Sequence, residues 1–251
     1  MNVGFMEKLI RVQKIISNSG FASRREVEKM IADGEVTING RIAILGDKAK
    51  NTDAITVKGK LLSLEQSQKV YYVLNKPPKT VSTSKDQFNR RTVVDLVPNT
   101  YRVVPVGRLD YNTTGAILLT NDYELVNNLI HPKYQIKRVY RARLDNPLTL
   151  KEFQQLNSGV IVNGKISHQI VDQVENKSYM VTLHVGTYHH VKKLFEAVGR
   201  KVVNLKRISY GNIDVAKMPE GYWRPLTLKE LKDLKAIVRE QIQKYNENNE
   251  E

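Results

Sequence analysis

The sequence predicts an α+β protein in two parts. A small α+β module is followed by a larger domain with a mixed or antiparallel sheet and flanking helices. Two helical patterns and short hairpins fill residues 7–62, and a polar segment without β-branched residues follows at 63–68. Strand patterns then dominate from residue 69 to about 228. They are not spaced as regular strand–helix–strand repeats, which disfavours a parallel doubly wound sheet.

Two helices are predicted to open the module at 7–62. Apolar residues recur at helical spacing in the first: Leu9, Val12, Ile15 and Ile16. Ser23 and Glu26 have the spacing of a capping box, so a second helix is expected to begin there and to end at Gly34. Two strand pairs should follow, at 35–43 with Asn39-Gly40 as the turn and at 53–61 about Gly59.

The larger domain is assigned to residues 69–232, after a linker at 63–68. Its clearest predicted strands are 70–74, 103–106, 116–120, 139–144, 159–162 and 178–185. Three helices are predicted between them, at 122–130, 149–157 and 188–198. Residues 227–251 are predicted to be a charged helix that frays from Asn246, and 233–251 are treated as a separate C-terminal tail.

Composition indicates an anionic partner. The chain has 40 Lys and Arg against 26 Asp and Glu, a net charge of +14, which favours nucleic acid over a membrane surface. No apolar run approaches the roughly 20 residues that span a bilayer, and the first residues do not resemble a secretory signal. The absence of cysteine excludes thiolate chemistry and suits a reducing compartment, so we expect a cytoplasmic protein without membrane contact.

The first candidate site is basic. Five cations cluster on the two N-terminal helices: Arg11, Lys14, Arg24, Arg25 and Lys29. Arg24-Arg25 lies at a predicted helix N-terminus, where backbone amides also favour phosphate. A solvated charged face explains the same cluster equally well, because residues 7–62 carry only 11 Lys and Arg against 7 Asp and Glu.

The second candidate is the polar loop within residues 105–115, between two apolar strands. Asp110 is its one carboxylate, and catalytic groups concentrate on loops held by rigid strands. An Asp-turn shaped by Asn112 and Gly115 is the simpler interpretation.

The third candidate is His189-His190 with Lys192-Lys193, for which a basic helix start near RNA is favoured over a metal site. Glycine-rich phosphate loops and serine-hydrolase elbows are absent from the sequence, so no nucleotide cofactor is expected.

Several blocks, in order, resemble the pseudouridine synthases of the RsuA/RluB class. Residues 107–122, beginning Gly107-Arg108-Leu109-Asp110, are similar to that family's signature. Further blocks that resemble the family are 74–77, 81–83, 92–98, 131–132, 137–140 and 188–199. Residues 7–62 resemble the RNA-binding module shared with ribosomal protein S-four.

The resemblance implies isomerisation of a flipped-out uridine in ribosomal RNA, without metal or cofactor. It makes Asp110 the group at the sugar, either as a nucleophile or as a base that gives a glycal. It assigns Lys192 as its cationic partner and Tyr140 as the ring that stacks on the base. Arg108 is expected to fill the vacated space or hold a phosphate, and Lys193 to contact RNA.

The expected substrate is large-subunit ribosomal RNA, bound by a monomer. Two alternatives remain open at this point: the same reaction on small-subunit ribosomal RNA, and a non-catalytic RNA-binding factor for ribosome assembly.

Overall fold

The computed structural model describes residues 9–63 and 68–249. The chain divides into two compact units, Met1–Lys69 and Val70–Glu251. Most of the predicted linker, residues 64–67, lies outside the described residues, as do the chain ends at 1–8 and 250–251. Each unit is described by itself below.

The N-terminal unit has two helices, α1 (Val12–Asn18) and α2 (Arg24–Ala32). Its strands are β1 (Ile10–Arg11), β2 (Val36–Ile38), β3 (Arg41–Ile42), β4 (Lys48–Ala49), β5 (Ile55–Val57) and β6 (Lys60–Leu61). Four strands form an antiparallel sheet in the order β3-β2-β5-β6, and β1 pairs with β4. Apolar residues of both helices pack with those of the strands in one core.

Local patterns in this unit translate directly into structure. The predicted capping box is present, with Glu26 N–H donating to Ser23 Oγ and Ser23 N–H donating to Glu26 Oε2. Both predicted turns form with positive φ, at Asn39-Gly40 and at Lys58-Gly59. Leu9, however, is not part of the first helix: it is 57% exposed, and β1 intervenes before α1 begins at Val12.

The larger unit is built on a nine-stranded mixed sheet, which confirms the predicted α+β class. The strands are β7 (Tyr71–Lys76), β8 (Val104–Pro105), β9 (Thr114–Thr120), β10 (Arg138–Leu144), β13 (Ile170–Glu175), β14 (Ser178–Leu183), β15 (Val202–Tyr210), β16 (Ile213–Asp214) and β17 (Trp223–Pro225), beside a separate hairpin of β11 (Val160–Val162) and β12 (Lys165–Ser167). The main path of the sheet runs β13-β14-β10-β15-β9-β7-β17, with β8 on β9 and β16 on β15. The one parallel pair among these strands is β9 with β15.

Helices cover this sheet. They are α3 (Tyr123–Ile130), α4 (Leu150–Ser158), α5 (His190–Glu196) and α6 (Leu228–Glu247), together with 3-10 turns at Val94–Leu96 and Pro132–Tyr134. The helix predicted over 188–198 is shorter than expected, because His189 has a φ of +52° and ends the preceding turn. The predicted boundary at 232/233 falls inside α6, and Leu234 and Val238 beyond it are buried in the core with α3.

Candidate active site

Strand register places Tyr140 and the end of the loop that carries Asp110 at one level of the sheet. Gly115 on β9 pairs with Lys76 on β7 and with Arg207 on β15, and Arg207 pairs in turn with Tyr140 on β10. The loop that carries Asp110 ends at this row. Tyr140 packs against an apolar cluster that includes Leu109, the neighbour of Asp110.

Gly115 fixes the exit of the loop. Its φ is +108°, and an added Cβ would lie 2.1 Å from the carbonyl oxygen of Arg207. Only glycine allows this close approach of the two backbones. Arg207 is itself buried, and its Nε donates to the carbonyl of Ala116 at 2.7 Å.

Two buried side chains anchor the rest of the loop. Ser82 Oγ accepts from Leu109 N–H at 3.1 Å and donates to Leu109 carbonyl oxygen at 2.9 Å. The ammonium of Lys76 donates to three backbone carbonyls, those of Pro77 (3.0 Å), Tyr111 (3.1 Å) and Thr113 (2.8 Å). Burial lowers the pKa of Lys76 to about 8, Asp110 opposes that shift and Arg207 adds to it. At pH 7 the ammonium is therefore still protonated and able to hold the loop.

Asp110 faces one ammonium group and one imidazole ring. Lys192 Nζ lies 2.7 Å from Asp110 Oδ2, and His189 Nε2 lies 3.5 Å from Asp110 Oδ1. The side chains of Asp110 and Lys192 are 29% and 32% exposed, so the pair is shielded but reachable from solvent. A partly exposed carboxylate that is hydrogen-bonded to an ammonium group is suited to attack an electrophile or to accept a proton.

The remaining predicted residues differ in their surroundings. Tyr140 is half-buried on β10, and Arg108 is exposed beside the loop. The ammonium of Lys193, which is predicted to contact RNA, donates to Asn163 Oδ1 and lies 5.5 Å from the centre of the Tyr188 ring.

Lys76 and Ser82 lie in the family-like blocks 74–77 and 81–83, but no role was predicted for either, and His189 was given no part beside Asp110. Lys76 also stands at the end of an apolar strand, directly before Pro77-Pro78. The bonds of Ser82 could not be predicted from local pattern, because its partner Leu109 is 27 residues away.

All five predicted N-terminal cations are exposed, and none forms an ion pair within the described part of the chain. Three of them line a cleft of about 410 Å³ in the N-terminal unit. The lining residues are Leu9, Ile10, Arg11, Gln13, Lys14, Arg24, Glu28 and Lys48. Lys48 comes from β4 and was not predicted, whereas Arg25 and Lys29 lie outside the cleft lining.

Over residues 9–63 and 68–249, no group of three His, Asp or Glu side chains is arranged to hold a metal ion. Within the same ranges, no helix is both long and apolar enough to cross a membrane.

Comparison with known proteins finds two families along the chain. The RNA pseudouridylate synthase family matches residues 70–201, and the S4 domain family matches residues 10–55. Ribosomal large subunit pseudouridine synthase B of Bacillus subtilis (strain 168) is 36% identical over 237 residues, which cover 91% of this chain and 96% of the relative.

Two further matches agree. Dual-specificity RNA pseudouridine synthase RluF of Escherichia coli (strain K12) is 33% identical over 231 residues, covering 91% of this chain and 79% of the relative. A crystal structure of a pseudouridylate synthase superposes with a TM-score of 0.66 at 28% identity, covering 90% of this chain and 99% of the other.

Proposed function

The chain belongs to the RNA pseudouridylate synthase family, and we propose that it converts one uridine of large-subunit ribosomal RNA into pseudouridine. The observation that carries the proposal is the 2.7 Å ion pair between Asp110 and Lys192, on a loop held by buried bonds. The Bacillus subtilis relative, which is named for the ribosomal large subunit, supports the choice of substrate. The net charge of +14 suits a large polyanion.

In the proposed reaction, Asp110 acts at the ribose of the flipped nucleotide. The glycosidic bond breaks, the uracil turns over, and its carbon 5 is joined to the ribose. Asp110 either attacks the anomeric carbon or removes a ribose proton to give a glycal. Both routes need an unprotonated carboxylate with one free oxygen, and Lys192 orients the group by holding the other oxygen.

Tyr140 is assigned to the extruded base, and Arg108 to the space that the base leaves in the RNA. The ring of Tyr140 stacks on the extruded uracil and assists removal of the carbon 5 proton after the new bond forms. Extrusion costs a few kcal/mol of stacking. Arg108 is exposed next to Asp110 and repays part of that cost by filling the gap or binding a phosphate.

The N-terminal unit is assigned to docking. Its cleft presents four cations, Arg11, Lys14, Arg24 and Lys48, with one carboxylate, Glu28. Such a surface binds phosphates and carries little base information, so selection of the uridine depends on RNA shape. A tethered second contact also raises the effective concentration of the catalytic unit at the target.

Replacing Asp110 with Asn tests the catalytic assignment. Asn is nearly isosteric but is a much poorer nucleophile and base, so we expect turnover to fall by at least about 10³-fold while RNA affinity is retained. The assay is release of tritium from ribosomal RNA labelled at carbon 5 of uridine. Asp172→Asn, at an exposed carboxylate on β13, is the matched control. Wild-type turnover in Asp110→Asn contradicts the assignment.

Competition tests the substrate. Large-subunit RNA, small-subunit RNA and bulk transfer RNA are offered together at about 0.15 M salt, and pseudouridine is mapped in each. We expect modification of the large-subunit RNA. Modification confined to a small-subunit site or to transfer RNA contradicts the proposed target, and binding without modification supports the assembly-factor alternative.

Salt dependence tests the docking role. On a duplex, each lost phosphate contact lowers the slope of log affinity against log salt by about 0.9. We therefore expect Arg24→Gln to flatten the slope of log affinity against log salt by about one unit. Lys60→Gln, on β6 and outside the cleft lining, should leave it unchanged. Equal slopes for the two variants would remove the support for docking through the cleft.

We also propose that the enzyme acts as a cytoplasmic monomer without a cofactor. Isomerisation neither oxidises the substrate nor transfers a group to it. Asp110, Lys192 and His189 all come from one chain, so the site needs no second subunit. The absence of cysteine suits a reducing compartment.

A further inference from the structure

The turn before α5 is tied to a neighbouring hairpin. This turn, residues 186–189, brings His189 to Asp110 and leads directly into the helix that carries Lys192. Asn163 stands at the tip of the β11–β12 hairpin with a φ of +51°. Its amide nitrogen donates to Thr187 Oγ1 at 2.7 Å and to the carbonyl of Tyr188 at 3.0 Å.

His190 ties the same turn from the other side. Its Nδ1 accepts from the backbone N–H of Thr187 at 3.2 Å and lies 3.0 Å from Thr187 Oγ1. Its Nε2 lies 2.7 Å from Ser167 Oγ on β12, and Ser167 Oγ in turn donates to Gln169 Oε1 at 2.9 Å.

These partners define the protonation state of the imidazole. Because a backbone N–H can only donate, Nδ1 must be the acceptor, and the proton of a neutral ring then lies on Nε2. Ser167 Oγ gives its own proton to Gln169, so it can accept from Nε2. A neutral His190 therefore satisfies every hydrogen bond in this series, from Thr187 through His190 and Ser167 to Gln169. A second proton on Nδ1 would instead point at the Thr187 N–H, which is also a donor.

We propose that Asn163 and His190 are positioning residues that hold the 186–189 turn against Asp110, and that the part of this hold contributed by His190 exists only while His190 is neutral. The inference rests on the proposed function for its effect on catalysis. Neither residue touches Asp110 in the described structure, so both act through the turn.

The electrostatic surroundings favour the neutral ring. Burial lowers the pKa of His190 below its usual value near 6.5, and the positive charge of Arg138 on β10 adds to that shift. The other titratable groups nearby in the chain are Lys165 and His168 around β12, His184 after β14, and His189, Lys192 and Lys193 of its own segment. Asp110 pairs with His189 and Lys192 instead of His190. The bonds of His190 to the turn should therefore be present at pH 7 and be lost as the pH falls below the lowered pKa of His190.

Substitution of His190 separates positioning from structure. Gln can accept from Thr187 N–H and donate to Ser167 without titrating, so His190→Gln should keep kcat within about threefold of wild type at pH 7.5. It should also lack the part of the acid loss of activity that His190 causes, while any loss that arises elsewhere in the protein remains in both proteins. His190→Leu should lower kcat about 5- to 10-fold at pH 7.5, with unchanged KM for RNA. The difference from wild type should shrink as the pH falls below the pKa of His190, because the wild type then loses the same bonds.

Asn163→Gly offers a second test, because glycine accepts the left-handed backbone and removes only the amide. We expect kcat to fall about 5- to 10-fold with unchanged KM. Asn89 is an exposed asparagine with a similar φ of +52°, and Asn89→Gly is the matched control. Equal acid limbs for wild type and His190→Gln, or wild-type kcat in Asn163→Gly, would overturn the proposal.

A spectroscopic test does not depend on activity. Nitrogen-15 NMR of the histidine rings in the full chain should show His190 neutral at pH 7, protonated on Nε2, and titrating below 6.5. A proton on Nδ1 at pH 7 would overturn the proposal even in an active enzyme. A wild-type protein that makes no pseudouridine but has the expected tautomer would refute the proposed function and leave the hold on the turn intact.

Discussion

Lys192→Gln separates a catalytic ion pair from a structural one. The ammonium lies 2.7 Å from Asp110 Oδ2, and each side chain is about a third exposed, at 32% and 29%. Partly exposed pairs of this kind contribute at most about 1 kcal/mol to folding. We therefore expect the free energy of unfolding of the variant to change by less than about 1 kcal/mol.

The expected effect on turnover is larger. Two unit charges at about 4 Å interact by roughly 1 kcal/mol in water and about 4 kcal/mol at an effective dielectric constant of 20. Excluding water when RNA covers the site moves the pair toward the second value. Losing that interaction in the transition state corresponds to a fall in kcat of about 5- to 10³-fold. Lys192→Arg keeps the charge and should retain most of the activity.

The assay is single-turnover tritium release with saturating enzyme, combined with urea unfolding of each variant. Single-turnover conditions remove product release from the measured rate. If the free energy of unfolding of Lys192→Gln is lower by several kcal/mol, and its single-turnover rate falls only in proportion to the fraction of unfolded protein, the ion pair is structural. A rate within about threefold of wild type refutes the reasoning outright.

Two stability predictions follow from the fold. Gly115→Ala places a Cβ 2.1 Å from the carbonyl oxygen of Arg207, so urea unfolding should report a free energy of unfolding lower by about 3–5 kcal/mol. Gly221 also has a positive φ but has open space around it, so the control variant Gly221→Ala should be less stable by only about 1 kcal/mol. Glu230 accepts two bonds from Arg224, which hold its pKa at about 2, below 4.5 in the unfolded chain. The resulting stability is present above pH 4.5 and is lost as the pH falls toward 2. Glu230→Gln should therefore lower the free energy of unfolding at pH 7 by about 1–3 kcal/mol, and that free energy should depend less on pH between 4.5 and 2. Equal pH profiles of stability for the two proteins would contradict this.

The sequence predicted elements whose determinants are local. The capping box at Ser23 and the turn at Asn39-Gly40 each depend on residues within a few positions, and both formed as expected. The strand β15 was missed because charged residues interrupt its apolar pattern, and Arg207 among them points into the core. Alternation fails to identify a strand when a buried arginine takes a core position.

In the candidate site, too, the residue with a local sequence signal could be predicted and the residues with only long-range partners could not. Asp110 stood out because it is the single carboxylate of a loop between apolar strands. Its supports did not, since Lys76 reaches Thr113 across 37 residues and Arg207 reaches Ala116 across 91. Such contacts are set by strand register across the sheet, and a single sequence gives no local signal for them.

The two contacts of Asp110 are unequal, and for the proposed reaction this inequality predicts which oxygen acts on the ribose. Oδ2 is bonded to Lys192 at 2.7 Å, within the range of a charge-assisted hydrogen bond, whereas Oδ1 is 3.5 Å from His189, beyond that range. A nucleotide that approaches Asp110 meets less competition at Oδ1, because the His189 contact is the longer of the two. In the proposed reaction we therefore expect Oδ1 to reach the ribose, with Lys192 retained on Oδ2. His189, held by its turn, is then left beside the reacting oxygen, where it can donate to the sugar or to a phosphate.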